Sequence, residues 1–254
     1  MSGNGQKKPV LEVRDISKSF GAIEAVRGVS FDVYPGEILG VIGPNGCGKT
    51  TLFNCILGQL KPDKGTVRLK GQDVTGRSPV KLSKNGLGRT FQLLQVFDSM
   101  TVPDNLLTAS QAHIGTVFSR LFKRPDLGLG GKVNNVVEQF RLGHLVREEA
   151  GNLSFGQQKL LDIAMGLMSG PQIVFLDEPA GGVNLSMLVD VKARLLELNG
   201  KGITFAIIEH NMEFIFEIAH RILVMAEGQV LMIGSANDVR KDPRVIEAYL
   251  GQQD

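Results

Sequence analysis

From Pro9 to Gly43, short stretches of apolar and polar alternation are broken by glycine and by Pro35-Gly36. That pattern predicts strands joined by turns, in a small antiparallel sheet. The run Ile38 to Ile42 differs, being apolar throughout apart from Gly40. It reads as a strand buried on both faces, and it leads straight into a glycine-rich loop, after which Thr50 to Leu60 has helical periodicity. Beyond Pro62-Asp63-Lys64-Gly65, two further strand-like pieces follow, Thr66 to Lys70 and a stretch ending near Gln92. From roughly Val96 to Asn152 the period is helical, with caps expected at Thr101 and Asp104 and an irregular basic and glycine-containing insertion near 115–131. The chain then alternates: a helix from Ser154, a strand Ile173 to Leu176, a helix from Leu185 to Asn199 and a strand Ile203 to Ile208. Such βα alternation predicts a parallel sheet and an α/β fold. The segment ANDVRKDPRVIEAYLGQQD reads as a turn and a last short helix.

Composition narrows the class only a little. A chain of 254 residues with 43% hydrophobic and 21% charged residues is ordinary for a globular protein. One domain with lobes is expected. The formal charge of +2 gives no broad basic field, so no nucleic-acid partner is expected. The start, MSGNGQKKPVLEVRD, has positive charge without the apolar segment of a signal peptide, and no apolar run is of bilayer-spanning length. A cytoplasmic protein is the expectation. The two cysteines, Cys47 and Cys55, suit a reducing compartment and lie in no zinc pattern.

The chemistry concentrates in a few segments. Gly43-Pro44-Asn45-Gly46-Cys47-Gly48-Lys49-Thr50 fits the P-loop pattern and stands between a predicted buried strand and a predicted helix. Its glycines let backbone amides close around phosphate oxygens, and the helix N-terminus adds partial positive charge. Lys49 is expected on the β- and γ-phosphates and Thr50 on magnesium, with Thr51 beside it in the phosphate cradle. Cys47 is expected to matter for its amide. A second segment, Ile173-Val174-Phe175-Leu176-Asp177-Glu178, is an apolar strand ending in two carboxylates, which places them at the carboxyl edge of the sheet, where open α/β folds bind ligands. There Asp177 can hold a magnesium shell and Glu178 can polarise the attacking water.

Further segments, in this order, resemble the ABC ATPase family. Leu153-Ser154-Phe155-Gly156-Gln157 is similar to the family's LSGGQ-like signature, with Phe155 in place of the first of two glycines. The resemblance implies that Ser154, Gly156 and Gln157 meet the γ-phosphate held by a second subunit. It further implies that Gln92 is a Q-loop contact to magnesium, His210 a switch histidine at the γ-phosphate, Phe20 the aromatic that stacks on adenine, and Gly181 to Asn184 the D-loop. His113, His144 and His220 match no such position and are expected at the surface or at caps. A neutral imidazole at position 210 can donate to phosphate without adding a full charge. The implied fold is an ABC ATPase with a RecA-like parallel-sheet core, an N-terminal antiparallel β sublobe and an α-helical sublobe. Its expected bounds are 1–95 and 153–235 for the core with its β sublobe, 96–152 for the helical sublobe and 236–254 for the tail.

Within that family the resemblance is to ATP-binding subunits of high-affinity branched-chain amino-acid importers. It rests on Arg89-Thr90-Phe91-Gln92, Met100 to Leu106, Asn152 to Gln158, Asp177-Glu178-Pro179-Ala180-Gly181-Gly182-Val183-Asn184, Ile208-Glu209-His210-Asn211-Met212 and Val245 to Gly251. Urea and amide importers, the lipopolysaccharide-export ATPase and soluble ABC ATPases are the alternatives. The resemblance implies ATP and Mg2+ as ligands, a head-to-tail dimer with a like or paralogous ATPase, permease subunits, and an indirect link to a solute receptor. It implies a place on the inner face of the cell membrane. Leu93, Leu94, Val96 and Phe97 are expected to bed a permease helix.

Overall fold

The computed structural model describes residues 8–89, 96–111 and 127–250. Strands β1 (Leu11–Phe20) and β2 (Ile23–Val33) form an antiparallel hairpin whose register pairs Phe20 with Ile23 across a two-residue turn. Gly21 supplies the left-handed conformation there, with φ of 60°. After β3 (Ile38–Ile42) and helix α1 (Lys49–Ile56), the strands β4 (Lys64–Leu69) and β5 (Gln72–Asp73) complete this sheet in the order β2-β1-β4-β5.

Helix α2 (Pro79–Lys84), strand β6 (Leu87–Arg89), α3 (Val102–Gln111), α4 (Leu127–Gln139) and α5 (Phe155–Leu167) follow. Then come β7 (Ile173–Asp177), α6 (Leu185–Gly200), β8 (Thr204–Ile208) and α7 (Met212–Ile218). The order closes with β9 (Arg221–Ala226), β10 (Gln229–Gly234), α8 (Ala236–Lys241) and α9 (Pro243–Leu250). The second sheet has the order β10-β9-β3-β8-β7-β6. Its pairings from β9 to β6 are parallel, and β10 joins antiparallel.

Every residue of β3, β7 and β8 is buried, and the period of two splits each strand between two cores. Ile38, Ile42, Val174, Leu176, Phe205 and Ile207 face the helices α3 to α7. Leu39, Val41, Ile173, Phe175, Ala206 and Ile208 face α1 and the antiparallel sheet. Phe53 of α1 meets Phe175 of β7 edge to face, with centroids 4.8 Å apart, so the first helix is tied to the strand two places away in the sheet.

Several boundaries differ from the sequence reading. Helix α1 stops at Ile56 because Gly58 takes φ of 71°, and a Cβ there would stand 2.0 Å from the Arg77 carbonyl. Residues 127–131, expected in an irregular insertion, open α4; the buried positions Val133, Val136, Val137 and Phe140 supply the helical stripe that offsets the glycines. Thr101 does precede α3, but Asp104 lies inside the helix and pairs with the Thr101 hydroxyl instead of starting a turn of its own. The final segment holds two helices, since Asp242-Pro243 breaks the run.

Gly40 is the one gap in the apolar run of β3, and the gap is filled by α7. A Cβ at Gly40 would lie 2.7 Å from Ile215 Cγ2 of that helix, a fully buried branched side chain. Gly40→Ala is expected to destabilise the fold by about 1–3 kcal/mol through overpacking, read as a lowered midpoint in chemical unfolding; an unchanged midpoint would show that α7 yields freely.

Candidate functional site

Three loops leave the carboxyl ends of the adjacent strands β3, β8 and β7, and each carries candidate chemistry. The first runs from Gly43 to Thr50. Gly43, Gly46 and Gly48 have φ of 154°, 75° and 97°. At Gly48 a Cβ would stand 2.1 Å from the Ala25 carbonyl, and at Gly43 it would stand 2.2 Å from that of Met225, so neither position has room for a side chain. Asn45 and Gly46 are exposed at the tip. Lys49 is buried, and its ammonium donates to the carbonyls of Gly43 at 2.7 Å and Pro44 at 2.8 Å, arching under the loop. Thr50 is exposed in the first turn of α1, with the half-buried Thr51 after it.

The Cys47 amide donates to Pro44, closing the turn, while its side chain is buried in the core beneath the loop, with Lys49 Nζ 3.7 Å from the sulfur. Burial raises the thiol above its ordinary value and Lys49 opposes this only in part, which keeps it a packing group.

The second loop begins at Asp177. Its carboxylate is 2% exposed, neither oxygen accepts a well-formed hydrogen bond among the described residues, and the Arg89 guanidinium stands 3.5 Å away. Burial raises the Asp177 carboxyl above the usual carboxylate range despite that guanidinium, and the neighbouring Glu178 adds to the rise. Arg89 also donates to Asn54 Oδ1 of α1 at 2.8 Å, so the β7 acid and the first helix share one cation. Glu178 has φ of 52°, which is left-handed and uncommon for a residue with a side chain. The turn aims its carboxylate at the third loop, where Oε1 lies 3.0 Å from Nε2 of His210.

The third loop adds Glu209, whose buried carboxylate accepts the amides of Ala180, His210 and Asn211. Burial raises this carboxyl too, opposed by those three amides. Sequence reading names Glu209 only within the segment Ile208 to Met212 and gives it no role; a charged residue ending an apolar strand beside a candidate histidine is the signal that it leaves.

The other candidates lie around this edge. Phe20, at the end of β1, is 48% exposed, with Lys18 Nζ over its ring 5.8 Å from the centre. Ser154 caps α5 in a reciprocal capping box with Gln157. Gly156 is not open as expected of a phosphate contact: a Cβ there would stand 2.1 Å from Met187 Cε of α6, whose flexible side chain covers it. The Phe155 ring lies over Gly182, 3.0 Å from where its Cβ would be, so the residue that departs from the signature packs on its own D-loop. Asn184 caps α6, accepting the Met187 amide at 3.0 Å, and so has a local task. Gln92, Leu93, Leu94 and His113 lie outside the described residues. His144 and His220 are both exposed, and His220 also ties into the sheet, with Nδ1 accepting the Ile38 amide at 3.0 Å. At the far end of the chain, Tyr249 packs against the core and its phenol interacts with the Gly43 backbone, with burial pushing its pKa up to about 12.

Residues 26–181 match the family described as ABC transporter. The chain belongs to the ABC transporter family. Residues 229–254 match a second description, the branched-chain amino acid ATP-binding cassette transporter. BraF of Pseudomonas aeruginosa, named a high-affinity branched-chain amino acid transport ATP-binding protein, is 37% identical over 252 residues, 96% of this chain and 99% of that protein. LivG of Escherichia coli K12, which bears the same description, has the same identity and coverage. A solved nucleotide-free ATP-binding cassette from an ABC transporter is 36% identical and aligns with a TM-score of 0.87 over 96% of this chain and 100% of that one. The ADP conformation of such a cassette, also 36% identical, gives 0.88 over 97% and 100%. The fold is therefore the ABC ATPase fold, and the chain is a nucleotide-binding, ATP-hydrolysing subunit of a transporter that works with membrane permease components.

In this ABC ATPase the raised carboxyl at Asp177 carries a sign. A folded-state value above the unfolded one contributes stability that is present in acid and is lost as pH rises through the raised value. Asp177→Asn, a neutral isostere, is therefore expected to melt a few degrees higher than the parent chain at neutral pH without nucleotide. The gain should shrink toward zero as the pH falls into the carboxylate range; a lower melting temperature at neutral pH would mean that the pairing with Arg89 outweighs burial.

Proposed function

We propose that this ATPase powers uptake of branched-chain amino acids, or of closely related amide or urea cargo, and that Glu178 and His210 act together on the terminal phosphate. The observation that carries the mechanism is the 3.0 Å approach of His210 Nε2 to Glu178 Oε1 at the strand edge that also holds the P-loop and Asp177. The names of the BraF and LivG relatives, alike over nearly the whole chain, and the match of the tail support the cargo.

ATP lies with its phosphates against the amides of Gly43 to Thr51 and its adenine on Phe20. Lys49 exchanges its carbonyl partners for phosphate oxygens. Glu178 accepts a proton from water as the water oxygen bonds to the γ-phosphorus, and the bond to the bridging oxygen of ADP breaks; Lys49 and His210 stabilise the charge. The buried Asp177 oxygens, which accept no hydrogen bond among the described residues, fit a divalent cation, with Thr50 and Gln92 as its further holders. When bound, Mg2+ neutralises charge on the β- and γ-phosphates. Ser154, Gly156 and Gln157 serve the nucleotide of a second ATPase subunit, like or paralogous, in a head-to-tail dimer; for Gly156, Met187 must first swing aside.

The permease binds on another face. A cavity of about 390 Å³ between α2 and α3 is lined by Pro79, Val80, Leu82, Phe97, Ala109 and Met165, and Phe97 is 46% exposed in it. The buried Asn105 fixes the Phe97 segment through hydrogen bonds to the Phe97 amide and to the carbonyls of Phe97, Met100 and Thr101. We place the core with its β sublobe at 1–95 and 153–235, the helical sublobe at 96–152 and the tail at 236–254. The complex sits on the cytoplasmic face of the membrane, with two permeases and a solute receptor.

Glu178→Gln is expected to bind ATP normally and to lose about 10²–10⁴-fold in hydrolysis, leaving a persistent ATP-bound dimer in gel filtration; full ATPase activity would sink the assignment of the base. Phe97→Asp is expected to abolish solute uptake in reconstituted vesicles while ATP binding by the chain stays intact. Loss of both together would assign Phe97 to the core.

A further inference from the structure

Glu209 stands at the end of β8 with 2% of its surface exposed, and the reaction proposed above makes no direct use of it. Its Oε1 accepts the Ala180 amide at 2.6 Å. Its Oε2 accepts the amides of His210 at 2.9 Å and Asn211 at 3.1 Å. All three donors are main chain, and they come from two loops. Ala180 belongs to the turn that begins with Asp177 and Glu178, whereas His210 and Asn211 belong to the turn after β8. A second tie crosses the same gap, from the Glu178 amide to the Ile208 carbonyl at 2.9 Å.

The two loops hold the pair that must meet, Glu178 and His210, and Glu178 is in a left-handed conformation that is strained for a residue with a Cβ. Such strain persists only where the surroundings over-determine it. Charge-assisted bonds from one anion to three amides are strong and directional. A carboxylate suits this place because all three neighbours are donors: an amide side chain would turn an NH2 group toward at least one N–H, and an apolar residue would leave all three amides without an acceptor.

We infer that Glu209 is a positioning residue for ATP hydrolysis: a buried carboxylate clamp that locks the Glu178 loop to the His210 loop. The inference rests on the roles given to Glu178 and His210 under the proposed function. Glu209 is almost fully buried and both its oxygens are taken by main-chain amides, so its effect falls on the rate of the chemical step and not on ATP binding.

The test compares Glu209→Gln and Glu209→Asp with the parent chain in steady-state ATPase assays, with binding of adenylyl imidodiphosphate by calorimetry and with thermal melts. Glu209→Gln is expected to lower kcat by about 10–100-fold, with analogue affinity changed by less than about twofold. Glu209→Asp, which keeps the anion with a shorter reach, is expected to recover part of the rate, and it serves as the readout if the Gln variant does not fold. In a Glu178→Gln background the Gln substitution at 209 is expected to cause no further loss, as for residues that act as a unit. Unchanged kcat in Glu209→Gln beside an inactive Glu178→Gln would overturn the clamp alone. An equal further loss in the double variant, or a loss of affinity that tracks a lowered melting temperature, would also overturn it. Full activity of Glu178→Gln would instead remove the reading on which the clamp stands.

Discussion

Burial of β3, β8 and β7 on both faces is the constraint from which the site follows. Alternate side chains of each strand feed opposite cores, so neither face can slip by a residue without exposing an entire apolar set. Each fully buried aliphatic or aromatic side chain contributes about 1.5–3 kcal/mol, which makes the three strands a stiff frame for the loops that leave them. Their carboxyl ends lie side by side, and the three loops that leave them carry Lys49, Glu209 with His210, and Asp177 with Glu178. The edge-to-face contact of Phe53 and Phe175 and the bridge of Arg89 between Asn54 and Asp177 then fix the first loop against the last.

That stiffness offsets an electrostatic and conformational cost concentrated at one edge. Asp177 and Glu209 are buried carboxylates held above their ordinary range by burial, with Glu178 raising both further. Glu178 itself sits in a strained conformation. The two buried acids are handled differently. Glu209 has three amides and is locked in place, whereas Asp177 is paired with the Arg89 guanidinium at 3.5 Å and its oxygens accept no hydrogen bond among the described residues, which leaves them to a cation. Destabilised groups held by a rigid frame are the usual state of a site that must bind charge and then release it.

Local signals made much of this legible in the sequence. The apolar runs Ile38 to Ile42 and Ile173 to Leu176 announced doubly buried strands, because period and burial are set by residues next to one another. The P-loop glycines sit where no Cβ fits, so motif and structure have one steric cause at Gly43 and Gly48. Less legible was whatever depends on distant parts of the chain. Helix α7 and strands β9 and β10 carry no sequence assignment, and only the first turn of α4, residues 127–131, reads as irregular, since glycine at 130 and 131 outweighs the helical stripe that the following valines carry. The cover of Met187 over Gly156, the bed of Phe155 on Gly182, the clamp at Glu209 and the phenol of Tyr249 beside Gly43 all join segments far apart in sequence. None leaves a periodic trace.

In the proposed function these three loops form one nucleotide site in which Lys49, Asp177, Glu178 and His210 converge on the terminal phosphate. The most direct measurement is a crystal structure of the Glu178→Gln chain grown with ATP and magnesium. The expected result is phosphates wrapped by the amides from Gly43 to Thr51, Lys49 withdrawn from its carbonyls onto phosphate, the cation on the Asp177 side and His210 against the γ-phosphate. Nucleotide bound elsewhere, or bound with Lys49 still on the carbonyls of Gly43 and Pro44 and with no cation near Asp177, would contradict it.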